Sequence, residues 1–159
     1  MPANFPIGQL ISGGQTGVDR AALDTGLGLG IPSAGWCPQG RWAEDGRLAP
    51  RYPLSETQSS DPAVRTRLNV MRADGTLVLH LGRLDPGSRL TLDIARSAGR
   101  PFLEAELGEA GLTARVRLWL AGNKIRALNI AGPRESSAPG IQLAAEDFLR
   151  ELLADEGKG

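Results

Sequence analysis

Five short apolar runs, at 9–12, 33–36, 76–80, 101–103 and 127–130, alternate along the chain with longer segments whose apolar residues recur at helical spacing. That alternation constrains the fold more than any other feature. A strand followed by a helix and then another strand closes most readily as a right-handed crossover between parallel neighbours. Each run is brief and apolar, as strands covered on both sides tend to be. The expected class is therefore α/β, a doubly wound and mostly parallel sheet with helices on both faces.

Helices are expected at 16–27, from 61–62 to about 74, from 88 to about 98, at 112–121 and at 141–153. Val18, Ala21, Ala22 and Leu23 share one side of the first, which runs into Gly28-Leu29-Gly30, a suitable C-terminal cap. Asp61-Pro62 supplies an N-cap and a first-turn proline, and Ser88 is expected to cap the third helix. A chain of 159 residues with 41% apolar content suits one core, so a single domain over 1–154 with a polar tail at 155–159 is expected. Segment 37–60 shows no clear periodicity. At that length it is expected to be a functional lid, carrying Trp42, Tyr52 and several charges.

Eighteen basic residues balance eighteen acidic ones, and aromatic residues make up 4% of the chain. Neither a phosphate-tracking stripe nor a row of stacking platforms is on offer, so nucleic acid is not an expected partner. Cys37 is the lone cysteine, which leaves no internal disulfide and no cysteine cage for zinc. The opening Met1-Pro2-Ala3-Asn4-Phe5-Pro6 lacks the basic and apolar regions of a secretion signal, and no apolar run reaches the roughly 20 residues of a membrane helix. A cytoplasmic protein with no membrane partner and no metal site is expected.

Three turns between strand and helix carry the chemistry. Gly13, Gly14, Gln15, Thr16 and Gly17, followed by Asp19 and Arg20, open the first helix, where paired glycines allow close approach and free amides at a helix start favour an anion. The spacing is that of neither a Walker A loop nor a dinucleotide fingerprint. Gly87, Ser88 and Thr91 form a second such helix start, and Gly132, Pro133, Arg134 and Glu135 follow the last strand, with Arg134 able to take a phosphate in a bidentate grip. Each turn is also explicable as a tight connection needed only for packing. Arg20 and Arg41 add candidate positive charge. The acids Glu44 and Asp45 are the candidate catalytic pair, with solvated loop acids as the plain alternative. His80, the one histidine, reads either as an acid–base group or as a structural residue.

These residues resemble a known family, the molybdenum-cofactor carrier proteins, circularly permuted relatives of the YpsA proteins. The resemblance rests on Ile11-Ser12-Gly13-Gly14-Gln15-Thr16-Gly17-Val18-Asp19-Arg20, on Gly35-Trp36-Cys37-Pro38 with Gly40-Arg41 and Ala43-Glu44-Asp45-Gly46, on Arg51-Tyr52-Pro53-Leu54, on Arg65-Thr66-Arg67-Leu68-Asn69-Val70, on Asp74-Gly75-Thr76-Leu77, and on Gly132-Pro133-Arg134-Glu135-Ser136 with Pro139-Gly140. It implies a Rossmann-like fold, within a superfamily that includes the lysine-decarboxylase-like phosphoribohydrolases and the DNA-processing protein DprA. It also implies a nucleotide-like or pterin-phosphate ligand at the glycine turns, Trp36, Cys37 and Pro38 among the ligand-binding residues, and a homo-oligomer.

The hydrolase relatives carry Pro-Gly-Gly-x-Gly-Thr-x-x-Glu, and alignment with the segment from Pro86 puts Ile94 where their catalytic glutamate stands. Isoleucine transfers no proton. The expected function is accordingly that of a binding protein for a small phosphorylated molecule, with molybdopterin as cargo. The alternative is a nucleoside-monophosphate glycosidase or related hydrolase using Glu44 or Asp45.

Overall fold

The computed structural model describes residues 7–154; the opening segment 1–6 and the expected tail at 155–159 lie outside them. In chain order the elements are β1 (Gln9–Ile11), α1 (Val18–Leu29), β2 (Ser33–Ala34), β3 (Trp36–Cys37), β4 (Trp42–Ala43), β5 (Gly46–Arg47), β6 (Ser55–Glu56) and α2 (Pro62–Arg72). They continue with β7 (Gly75–His80), α3 (Pro86–Ser97), β8 (Phe102–Glu106), α4 (Leu112–Gly122), β9 (Ala127–Ala131) and α5 (Ile141–Leu153). Five of the strands form one parallel sheet in the order β2-β1-β9-β7-β8.

The winding places the site. From β1 the chain steps outward to β2 at one edge, then crosses to β7 and steps outward again to β8 at the other. The last strand, β9, fills the gap, with Leu128 beside Leu10 on one flank and Asn129 beside Thr76 on the other. Loops leaving the two halves of such a sheet diverge and leave a crevice above the carboxyl ends of the strands where the winding reverses. Here the crevice stands over β9.

Helices α1, α4 and α5 cover one face and α2 and α3 the other. The larger core lies under the first group, where Leu10, Leu77, Leu79, Leu128 and Ile130 from the sheet meet Val18, Val116, Ile141 and Leu149 from the helices. A smaller cluster of Val70, Ile94 and Ala95 closes the second face. Ile94 is thus a packing residue pointing into the α2–α3 layer, 5% exposed.

Several local expectations hold. Asp61 caps α2 by accepting the Ala63 amide at 3.0 Å, with Pro62 in the first turn, and Gly30 ends α1 in the left-handed conformation at φ 73°. Others are corrected. The cap of α3 is Asp85, which accepts the Ser88 amide at 2.9 Å, so Pro86 rather than Ser88 opens the helix. The run at 33–36 divides: Ser33–Ala34 joins the main sheet, while Trp36–Cys37 turns away at Gly35 to pair with β6.

Segment 37–60 is not irregular. It holds the β4–β5 hairpin and packs a core of its own, in which Leu48, Tyr52 and Leu54 join Cys37 and Leu23 of α1. Tyr52 donates its hydroxyl hydrogen to Asp24 at 2.6 Å, and the Arg51 guanidinium stacks 4.5 Å from the tyrosine ring. The segment is a strap folded down on α1. Among the described residues, no helix is long and apolar enough to cross a membrane.

Candidate functional site

Above β9 lies a hollow of about 250 Å³. The turn after β1 brings Gly13 and Gln15 to it, the first turn of α1 brings Asp19, the start of α3 brings Gly87, Ser88 and Thr91, and the segment after β9 brings Gly132 and Arg134. The three glycine turns singled out in the sequence therefore face a shared space. Four of its lining side chains are not among the expected site residues: Arg65 and Asn69 from α2, Asp85 before α3, and Asn129 on β9. Asn129 had a signal, a polar residue inside an apolar strand near its carboxyl end. Asp85 had one too, since Asp85-Pro86 repeats the capping pair of Asp61-Pro62.

The first turn is stiffened by its own hydrogen bonds. The Gly14 amide donates to Ser12 Oγ (3.3 Å), Gln15 to Asp19 Oδ2 (3.3 Å), Thr16 to Gln15 Oε1 (3.0 Å) and Gly17 to Gln142 Oε1 (3.1 Å). Amides expected to cradle an anion are thus engaged within the protein. Their glycines serve close packing: a Cβ on Gly14 would sit 2.7 Å from Leu54 Cδ1, and one on Gly17 would sit 2.2 Å from the Pro133 carbonyl oxygen. Gly13 is the glycine over which the hollow's own charges meet, with Arg65 Nη1 and Asp19 Oδ2 both within 3.1 Å of where its Cβ would stand.

Positive charge in the hollow comes from side chains. Arg65 reaches from α2 to donate to the Gly13 carbonyl at 2.7 Å, and Arg134 stands half exposed at the rim. Opposing them are the carboxyls of Asp19 and Asp85. Asp19 is 7% exposed, and burial raises its pKa to about 6, against the opposing pull of the Arg65 guanidinium and the Gln15 amide. At the start of α3, the Ser88 hydroxyl is buried without a partner, while the Gly87 amide in the first turn has no intrahelical acceptor. A buried hydroxyl without a partner, as at Ser88, is uncommon in a folded protein, whereas Gly87 is exposed.

The remaining candidates lie outside the hollow and hold the strap. Asp45 forms a bidentate pair with Arg20 at 2.9 and 3.0 Å, and Arg20 also donates to the Gly14 carbonyl. Glu44 accepts the hydroxyls of Thr16 and Ser136 and lies 3.8 Å from Arg134. Burial works to raise the Glu44 pKa, yet these hydrogen bonds prevail and hold it below the ordinary glutamate value. The Arg20 hydrogen bond likewise depresses Asp45.

Arg41 donates to the carbonyls of Leu54, Ala49 and Tyr52, binding the strap to itself. Glu135 caps α5 by accepting the Gly140 and Gln142 amides, and the Pro133 carbonyl accepts the Val18 amide. Trp36 is held through its backbone by Asn69, Cys37 and Pro38 are buried, and burial pushes the Cys37 thiol up. His80 contacts Glu104 at 3.1 Å. Among the described residues, no three His, Cys, Asp or Glu side chains gather where a metal ion could be held.

Comparison with known proteins agrees with this architecture. The circularly permutated YpsA SLOG family matches residues 10–153. A solved protein of Syntrophus aciditrophicus, provisionally named a molybdenum carrier protein, is 41% identical, with 94% of this chain and 96% of that one covered at a TM-score of 0.90. No curated protein matches.

Proposed function

Since the chain belongs to the circularly permutated YpsA SLOG family, we propose that its hollow binds a small phosphorylated ligand and that the protein acts as a carrier. The observation that carries this reading is the convergence of Arg65, Arg134, the Gly87 amide and the unpartnered Ser88 hydroxyl on one crevice. A phosphate oxygen is the acceptor that such donors lack. The name given to the Syntrophus aciditrophicus relative supports a molybdenum-related cargo, and a pterin phosphate would present the hollow with the same anionic group.

The carrier reading asks for no proton transfer, only for bonds that shelter a guest. The strap adds to that shelter, because Glu44 ties it to Ser136 beside the rim residue Arg134. The nucleotide-hydrolase alternative puts its acid, Glu44 or Asp45, in the hollow. Glu44 and Asp45 are outside it, and the lining carboxyls are Asp19 and Asp85.

Thermal unfolding of the full chain with orthophosphate, nucleoside monophosphates, a pterin phosphate and molybdate tests the proposal. Ligand bound at one hundred times its dissociation constant stabilises the folded chain by about 2.7 kcal/mol. A rise in melting temperature with the phosphorylated compounds, lost in Arg65→Ala, is the expected result. A flat response to all of them defeats it.

A further inference from the structure

Asp19 has unused acceptor capacity facing the hollow. Its Oδ2 takes one amide hydrogen, from Gln15, at 3.3 Å, the long end of the hydrogen-bonding range. No donor among the described residues reaches Oδ1. Arg65, the nearest candidate partner, does not close an ion pair with it and instead gives its short hydrogen bond to the Gly13 carbonyl. A carboxyl 7% exposed and held by one long bond is costly to ionise, and its second oxygen is open to whatever enters the hollow.

The walls around this carboxyl bear on what enters. Pro62, Ala63, Leu90 and Ala131 line the same hollow with apolar surface, which suits the faces of a flat ring better than a sugar rich in hydroxyls. Two parallel N–H bonds from a planar edge match the two oxygens of a carboxylate, as a guanidinium does. Arg65, Arg134 and Ser88 leave the other end of the guest to an anion.

We propose that Asp19 reads a pair of adjacent N–H donors on the ligand, which makes the guest an anion-bearing planar heterocycle with an amino group beside a ring N–H. This inference rests on the phosphorylated-ligand reading above and adds the identity of the guest's second end. Asp19 is a specificity residue in it, and no chemical step is required of it.

Calorimetric titration of the full chain with GMP, IMP and AMP tests the inference. All three carry one phosphate on the same sugar. GMP offers the ring N–H and its neighbouring amino group, IMP lacks the amino group, and AMP presents an acceptor at the ring position. GMP is expected to bind at least about tenfold more tightly than either, as when a buried polar group loses its partner. Asp19→Asn should abolish the preference, bringing GMP to within about twofold of IMP. Equal binding of the three overturns the inference and leaves phosphate recognition standing, as does a GMP preference that survives Asp19→Asn. Binding of none overturns the inference, and the orthophosphate and pterin-phosphate arms of the thermal experiment then decide the phosphorylated-ligand reading separately. The comparison of GMP with IMP uses the unaltered chain and does not depend on how the variant folds.

Discussion

Glu44 accepts a hydrogen bond from the Ser136 hydroxyl at 2.6 Å, joining two residues 92 positions apart and tying the strap to the segment that follows β9. The same carboxylate accepts the Ser136 amide and the Thr16 hydroxyl. One side chain thus binds the strap to two of the three turns around the hollow.

Glu44→Ala should therefore loosen the strap. Loss of a partly buried, charge-assisted cluster is expected to cost about 1–3 kcal/mol in denaturant-induced unfolding, discounted toward the lower figure by the carboxylate's partial exposure. The Glu44 pKa is depressed on folding, so its contribution is present above the unfolded value and fades as pH falls through the folded one. The difference between Glu44→Ala and the unaltered chain should shrink in acid below the ordinary glutamate range. An equal difference at pH 7 and pH 3 contradicts this account.

Asp19→Asn should move stability in the opposite sense. The folded pKa is raised from 3.8 to about 6, so the folded chain binds the proton more tightly than the unfolded one. Stability from this group is fully present below about pH 4 and is lost as pH rises through 6. Two pKa units correspond to about 3 kcal/mol at most above pH 7, and the asparagine variant avoids that cost. Melting temperatures should favour Asp19→Asn at pH 7.5 and converge with the unaltered chain near pH 4. A variant less stable at pH 7.5 refutes the buried-charge account.

Asp85→Asn should retain the helix cap, since asparagine accepts an amide hydrogen as aspartate does, with a stability change within about 0.5 kcal/mol. The Asp85 charge contributes to raising the Asp19 pKa, so its removal should lower the Asp19 titration midpoint. Carbon-detected NMR of the Asp19 carboxyl reads this directly. An unmoved midpoint would show that the two carboxyls do not sense each other across the hollow.

Two glycine substitutions should separate packing from the site. Gly17→Ala drives a methyl to 2.2 Å from the Pro133 carbonyl oxygen at φ 79°, and should cost about 3 kcal/mol or more. A Cβ on Gly87 meets nothing within 4 Å, and alanine in a helix gains about 0.5–1 kcal/mol over glycine. Gly87→Ala should therefore melt no lower than the unaltered chain, while binding phosphorylated ligands more weakly as the methyl narrows the hollow. Urea titration alongside ligand titration distinguishes the two variants.

Much of the fold was legible because its signals are local. Asp61-Pro62 announced a helix start through one amide and one fixed dihedral, and the run at 76–80 announced a covered strand through Leu77, Val78 and Leu79 in succession. The same local logic applied to Asp85-Pro86, and the choice of Ser88 as cap overlooked it. The strap escaped detection because its strands are two residues long, too short for alternation to show. The site was half legible: the glycine turns were visible, whereas Arg65 and Asn69 lie in the family segment 65–70 but reach the hollow only through the packing of α2.

The chain by itself determined the alternation of strand and helix, the parallel class that follows from it, and the turns at which a ligand can be met, since all three depend on contacts within a few residues. Tertiary structure alone decided that β9 slides between β1 and β7, which brings Gly13, Gly87 and Gly132 to one hollow. It also decided the partners of the charges. Arg20, Arg41, Glu44 and Asp45 became the ties of a strap, while Asp19 was left with an open oxygen facing the hollow. A charged side chain can bond to any complementary group within reach, and which group that is depends on the distance between residues far apart in sequence.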